Sequence, residues 1–300
     1  MKSEENNRKS VLINNDRGVA LIIVLLVTAL LIALIFEFAY GTRISLRAAV
    51  NFRDSQRAYY LSRSGVNFVG RYLAGNLQID PETGKDHKYD KLEQLEWQTV
   101  PFLPGNDAEL RVRWEDEAGK INITDVQTNA YRQSMLNTLF ENNGIDRTVY
   151  NNMTDINRGS SGVKNLGLLT GLHKFMSDEE YNKLNNFLTV SEVGQVDKID
   201  INTASPDVLQ SLGISAGAAG LIIEARKNAP FTDHAKVSEF PGMNTFTLGT
   251  LSLKSANFLT ETSNIFKVYS YASVGGYTKQ VEAVITRSTA GFTVNYWRAL

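Results

Sequence analysis

Between positions 19 and 36 the chain reads VALIIVLLVTALLIALIF, where Thr28 is the one polar side chain and nothing is charged. No other stretch restricts the fold as tightly. At about 1.5 Å per residue, a helix of this length spans roughly 27 Å, enough for the hydrocarbon core of a bilayer. In lipid the segment must be helical, because no water is present to satisfy an open backbone. The residues before it, MKSEENNRKSVLINNDRG, are polar and mixed in charge. A secretory signal peptide would follow its apolar run with small residues at a cleavage site. Here Glu37-Phe38-Ala39-Tyr40-Gly41 follows, so the segment reads as an anchor that stays on the protein.

The residues after the anchor extend the helix. From Arg43 to Leu73 there is no Pro, and the charges are mostly Arg: Arg43, Arg47, Arg53, Arg57, Arg63 and Arg71. Leu46, Val50, Tyr60, Leu61, Phe68 and Tyr72 recur at helical spacing. One long helix is expected from near Val19 to near Ala74, ended by Gly75-Asn76.

The rest of the chain divides by pattern. Residues 76 to 106 read as irregular, with turn signals at Asp80-Pro81-Glu82-Thr83-Gly84 and Pro101-Phe102-Leu103-Pro104-Gly105-Asn106. Residues 109 to 114 alternate as a strand, and further strands are expected at 266 to 274, 278 to 287 and 291 to 297. Ser288-Thr289-Ala290 would join the last two as a hairpin. Between these strands, residues 118 to 263 read as helical. The expected class is α+β: a long N-terminal membrane helix, a small antiparallel sheet, and an inserted, mostly helical domain. The corresponding boundaries are a leader at 1–18, the long helix at 19–75, the α+β domain at 76–117 and 264–300, and the insert at 118–263.

The insert carries an internal echo. Gly119-Lys120-Ile121-Asn122-Ile123 resembles Asp197-Lys198-Ile199-Asp200-Ile201-Asn202, and each precedes a helix-like segment. The second helix start is well formed, with Ser205 as N-cap, Pro206 in the first turn and Asp207 at the positive end of the dipole. Residues 201–243 resemble a helix-hairpin-helix, with Leu209, Leu212, Ala219, Ile222 and Ile223 inward and Gly213-Ile214-Ser215-Ala216-Gly217 as the turn. DNA-binding hairpins place a cation near such a turn. Here Arg226 and Lys227 lie almost two turns further on, so a structural helix pair is the expectation and nucleic acid is not an expected partner.

Composition narrows the chemistry. The formal net charge is -1, so no overall basic surface offers itself to nucleic acid. There is no Cys, which excludes disulfides and thiolate sites. His87, His173 and His234 are too dispersed for a His-based metal cluster. No G-x-S-x-G, H-E-x-x-H or Walker motif occurs, so no enzyme and no catalytic residue is expected. Acid pairs such as Asp116-Glu117 read as solvated charge.

Taken in order, the motifs resemble the general secretion pathway protein K family, the minor pseudopilins K of type II secretion systems. The stretch RGVALIIVLLVTALLIAL resembles that family's start. Asp116-Glu117-Ala118-Gly119-Lys120-Ile121-Asn122 resembles its DExGKIN segment, and Ile201-Asn202-Thr203-Ala204 followed by Leu209 its NTA element. Ile222-Ile223-Glu224-Ala225-Arg226 with Pro230-Phe231, residues 253–258, and Ala283-Val284-Ile285-Thr286-Arg287 are also similar.

The resemblance implies cleavage by a prepilin peptidase between Gly18 and Val19, and methylation of the new N-terminus at Val19. Most pilins carry Glu at the fifth residue after the cut. Here that position is Ile23, as in protein K, which is thought to cap the pseudopilus tip. The implied partners are the minor pseudopilins I and J, the major pseudopilin and the peptidase. The implied location is the bacterial inner membrane, single-pass, with the soluble part in the periplasm. Some relatives bind calcium in the insert. The resemblance leaves such a site open, but Asp197, Asp200 and Asn202 suit capping roles equally well, and no EF-hand spacing occurs. The competing reading is a membrane-anchored DNA receptor of competence type.

Overall fold

The computed structural model describes residues 16–77, 88–89, 92–101, 107–124, 126, 129–146, 148, 177–190, 198–239, 246–248, 251–253 and 258–300. The leader up to residue 15, the turn signals at 80–84 and 102–106, His87, His173, Asp197, and residues 240–243 and 254–257 lie outside these. The chain forms two compact units, Met1–Asp54 and Ser55–Leu300.

Helix α1 (Asp16–Gly75) passes through both units without a break, and starts a few residues earlier than its apolar pattern suggests. In the first unit no described residue buries its apolar window. In the second unit it becomes one-sided. Ala58, Ser62, Val66, Val69 and Leu73 are fully buried at spacings of three and four, with Gly65 and Gly70 on the same stripe.

That stripe lies on a five-stranded antiparallel sheet. After β1 (Gln94–Thr99) and β2 (Ala108–Asp116) come short strands β3 (Ile121–Asn122), β4 (Leu188–Thr189), β5 (Ile199–Asp200), β6 (Phe246–Leu248), β7 (Leu251–Leu253) and β8 (Leu259–Thr260). The long strands β9 (Ile265–Val274), β10 (Tyr277–Ser288) and β11 (Gly291–Ala299) close the chain. Sheet order is β1-β2-β9-β10-β11. Leu110, Val112 and Trp114 of β2 join Val268 and Ala272 of β9 and Val281, Ala283 and Ile285 of β10 under α1. Alternate residues point to opposite faces, so the partly exposed Arg111 and Arg113 stand on the other side. The β9–β10 turn uses Gly275 at φ 56° and Gly276 at φ 84°, the positive φ pair of a tight hairpin.

Close approach explains two helix glycines. A Cβ on Gly70 would sit 2.6 Å from the Phe292 ring. One on Gly65 would collide with Ser270 Oγ and stand 3.0 Å from Leu110 Cδ1 and Val112 Cγ1. Glycine weakens a helix by about 1 kcal/mol relative to Ala, so both positions exchange helix propensity for contact.

The region between β2 and β9 has helices α2 (Ala130–Asn143), α3 (Asp178–Phe187), α4 (Pro206–Ser211) and α5 (Ala216–Asn228), then a 3-10 turn at His234–Glu239. It is less purely helical than its pattern, because β3–β4 and β5–β8 form parallel bridges and β6–β7 a hairpin. β1 likewise arises where the sequence reads as irregular. It is an edge strand whose Leu95 is exposed, so its alternation marks no buried face.

The internal echo is a structural repeat. Ile121 and Ile199 occupy equivalent places in β3 and β5, and the amides of Ile123 and Ile201 each bond to the neighbouring strand, at Thr189 O and Thr260 O. Asn122 Oδ1 accepts from the Thr124 amide at 3.1 Å, and Asp200 Oδ1 from the Asn202 amide at 2.8 Å. Each copy then enters a capped helix. Asn129 accepts from Arg132 N at α2, and Ser205 from Val208 N at α4. The α2 and α4 faces meet in one core with Met135, Leu136, Leu139, Leu209 and Leu212 fully buried.

Candidate functional site

The three residues singled out at the N-terminus sit on α1. Gly18 is part-exposed, and Val19 and Ile23 are both more than half exposed. The Gly18–Val19 bond lies inside the helix, whose first residue is Asp16. Ile23 stands in an unbroken apolar surface that includes Leu21, Ile22, Val24 and Leu25, all exposed. Among the described residues of the first unit nothing covers this surface, which is long and apolar enough to cross a bilayer.

A second concentration of chemistry lies where β2 leaves the sheet for the helical region. Asp116, Glu117 and Lys120 are buried, contrary to the solvated charge expected of this acid pair. Lys120 Nζ donates to Glu117 Oε1 at 2.8 Å and to Glu115 Oε2 at 3.0 Å. The Thr189 hydroxyl donates to the other Glu117 oxygen. Burial pulls the Lys120 ammonium down, and the Glu117 and Glu115 carboxylates more than offset it, so Lys120 is held above its ordinary range. Lys120 in turn outweighs the effect of burial on Glu115 and holds that carboxyl low.

The loop after β2 meets the loop after β5 at close range. Asp200 N donates to Ala118 O at 2.9 Å, and Thr203 Oγ1 donates to Asp116 Oδ2 at 2.5 Å. A Cβ on Gly119 would sit 2.6 Å from Thr203 Oγ1 and 3.1 Å from the Thr203 carbonyl carbon. Beside this contact, Tyr89, Leu92, Glu93, Asn202, Thr203, Arg226 and Pro230 line a cleft of about 370 Å³. Burial first, and then Asp116, pushes the Glu93 carboxyl up to about 8.

The helix-hairpin-helix segment folds as expected through residue 239. Ser205 and Ser215 cap α4 and α5, and Gly213 takes φ 88° in the turn. Leu209, Leu212, Ala219 and Ile222 are buried, with Ile223 only partly so. Arg226 and Lys227 are both engaged within the fold. Arg226 Nη1 donates to Ile201 O and Ala204 O, both at 2.8 Å, and Lys227 pairs with Glu224 at 2.6 Å.

Asp200 and Asn202 do not cap the following helix, whose N-cap is Ser205; Asp200 closes a turn by accepting from the Asn202 amide. Asn202 joins three backbone groups: its Nδ2 donates to Phe231 O and Glu261 O, and its Oδ1 accepts from Phe231 N. Among the described residues, no group of three or more His, Cys, Asp or Glu is placed to hold a metal.

Arg287 is a key residue whose role the sequence pattern did not reveal. It is 1% exposed and donates to Ser263 O at 2.9 Å, Leu73 O at 3.3 Å and Lys88 O at 3.0 Å. Leu73 O belongs to the last turn of α1, where carbonyls lack helical partners. α1 has no basic residue in its own last turn, so a strand far along the chain supplies its cap. A lone Arg in the apolar run Ala283-Val284-Ile285-Thr286-Arg287 was the available signal.

No protein-family model matches the chain, and no curated protein does. Among solved structures, a chain of the GspK–GspI–GspJ complex from the type 2 secretion system of enterotoxigenic Escherichia coli is similar. The TM-score is 0.60, over 84% of this chain and 99% of that one, at 14% sequence identity. A long N-terminal helix that is apolar in its first half and packed on an antiparallel sheet in its second, with a helical region between β2 and β9, is thus a fold shared with a chain of that secretion complex.

Proposed function

We propose that the chain is a minor pseudopilin at the tip of a type II secretion pseudopilus, where it starts assembly and aids protein export. The observation that carries this reading is the continuous α1, uncovered and apolar at one end and packed on a pilin-type sheet at the other. The role is structural rather than catalytic. A prepilin peptidase cuts between Gly18 and Val19, and Val19 becomes the methylated N-terminus. The anchor sits in the inner membrane and the Ser55–Leu300 unit in the periplasm. Minor pseudopilins of the I and J types are the direct partners, because the similar solved chain comes from a complex of those proteins. The major pseudopilin follows below.

Ile23 supports the tip position. An incoming subunit with Glu at this place offsets the N-terminal ammonium of the subunit above it. An unpaired ammonium in low dielectric costs several kcal/mol. Ile23 has no carboxylate to offer, so this subunit has no subunit above it, while its own Val19 ammonium can meet an acid below. The DNA-receptor reading is weaker, because Arg226 is bonded inward and Lys227 is paired with Glu224.

Two measurements test the reading. Mass spectrometry of protein from its native membrane should find an N-methylated terminus at Val19, and Gly18→Val should block processing. Isolated assemblies should hold one copy beside two other minor pseudopilins. A mature chain that keeps residues 1–18, or copies repeated along the shaft, would overturn it.

A further inference from the structure

The contact between the β2 and β5 loops has an unusual property: two carboxyls face each other inside it. Asp116 and Asp200 are 1% and 0% exposed. Asp116 accepts from the Ala118 amide at 2.9 Å through Oδ1 and from Thr203 Oγ1 through Oδ2. Asp200 Oδ1 accepts from the Asn202 amide. Asp200 Oδ2 is fully buried, and among the described residues no N–H or O–H donor reaches it. The Asp116 carboxyl is a neighbour of Asp200 and interacts with it electrostatically. Two ionised carboxylates cannot occupy such a place without a large electrostatic cost.

We propose that Asp116 and Asp200 share one proton, and that this proton pins the helical region to the sheet. The acid form of one carboxyl donates to the other, which joins the end of β2 to β5. The repeat supplies an internal control. The position equivalent to Asp200 in the first copy is Asn122, whose amide makes the same turn and cannot itself hold a shared carboxyl proton. In the second copy the acid makes the same local turn, but the link across it depends on protonation.

The surrounding charges do not neutralise the pair. Arg287 from β10 acts on both carboxyls but is itself bonded to three backbone carbonyls. Arg226 from α5 acts on Asp200 and Glu93 while bonded to Ile201 and Ala204. Lys120 is held by Glu115 and Glu117, and Lys267 of β9 lies against Tyr269 and Glu117. Glu93, next to β1, adds a further acid, and the half-buried His234–Glu261 pair lies beyond Asn202. Burial is the first cause that raises both aspartates. For Asp200 the nearby Asp116 charge adds to it.

The sign follows. A carboxyl raised in the folded state gives stability that is complete below its unfolded value, near 3.8 for Asp, and that is lost as pH rises through its folded value. The pin therefore weakens toward alkaline pH.

The test uses the full chain in detergent micelles. In a Glu93→Gln background, infrared spectroscopy at neutral pH should show the carbonyl stretch of a protonated, buried carboxyl, and Asp200→Asn should remove it. Absence of that band before the Asp200 substitution, or its survival after it, overturns the proposal. Hydrogen exchange in the otherwise native chain gives a second measure that needs no Asp200 variant. Protection of the Asp200 amide, bonded to Ala118 O, should fall as pH passes the point where the band disappears. Unchanged protection across that transition also overturns it.

Discussion

The sheet is held on two fronts by different physics. On the α1 side the contact is made by shape: Gly65, Gly70, Ser62 and Ala58 let the helix lie close over Leu110, Val112 and Phe292. At the junction with the helical region it is made by charge: Lys120, Glu115, Glu117, Asp116 and Asp200 are drawn together away from water. An apolar contact weakens in proportion to the volume removed. A buried ionic contact depends on every partner, because a survivor left alone retains its full desolvation cost. The first front should fail gradually and the second abruptly.

The largest effect should therefore come from the junction. Lys120→Met removes the ammonium bonded to the buried Glu117, which keeps the Thr189 hydroxyl and the nearby Lys267 charge, and should cost about 3–5 kcal/mol. Urea unfolding followed by circular dichroism measures this. Adding Glu117→Gln should recover part of the loss, and a double variant no more stable than the single one would break the comparison. On the α1 front, Leu73→Ala should cost about 2–5 kcal/mol, since Leu73 is fully buried and capped through its carbonyl by Arg287.

Gly65→Ala is a smaller and sharper test. Helix propensity alone would add about 1 kcal/mol of stability, while overpacking against Ser270 and Leu110 costs about 1–3. A net loss is expected, and Ser270→Gly in the same chain should reverse it. A plain gain on Gly65→Ala would show that the helix does not lie as close as its glycines indicate.

The smallest effect belongs to Glu93, which is only part-buried and so partly screened. Its carboxyl, raised to about 8, gives stability that is present below 4.5 and lost as pH rises through 8. Glu93→Gln should therefore leave the thermal midpoint unchanged in mild acid and raise it above pH 8. A midpoint that moves equally at all pH values would show that Glu93 acts through packing rather than charge.

How legible these two fronts were in the sequence follows from the range of the interactions. The stripe Val66, Val69 and Leu73 obeys helical periodicity, so the length of α1 could be read directly. The β9–β10–β11 meander was legible for the same local reason, with alternation in the strands and Ser288-Thr289-Ala290 at the second connection. The acid pair Asp116-Glu117 read as solvated, because spacing cannot show that Thr203, Lys120 and Thr189 close over it. The pairing of Asp116 with Thr203 joins residues 87 positions apart.

The sequence by itself determined the elements. A run of uncharged residues at 19–36 permits only an apolar helix, Ser205-Pro206-Asp207 starts a helix in almost any setting, and the echo of Lys120-Ile121-Asn122 in Lys198-Ile199-Asp200 gives the same bridge and turn twice. Tertiary structure alone decided which polar groups are removed from water. It bonded Arg287 to the end of α1, drew Arg226 inward, and set Asp200 beside Asp116, at the place where the first copy of the repeat has the Asn122 amide. Backbone propensity acts over a few residues, whereas the cost of burying a charge depends on every group that surrounds it after the chain has folded.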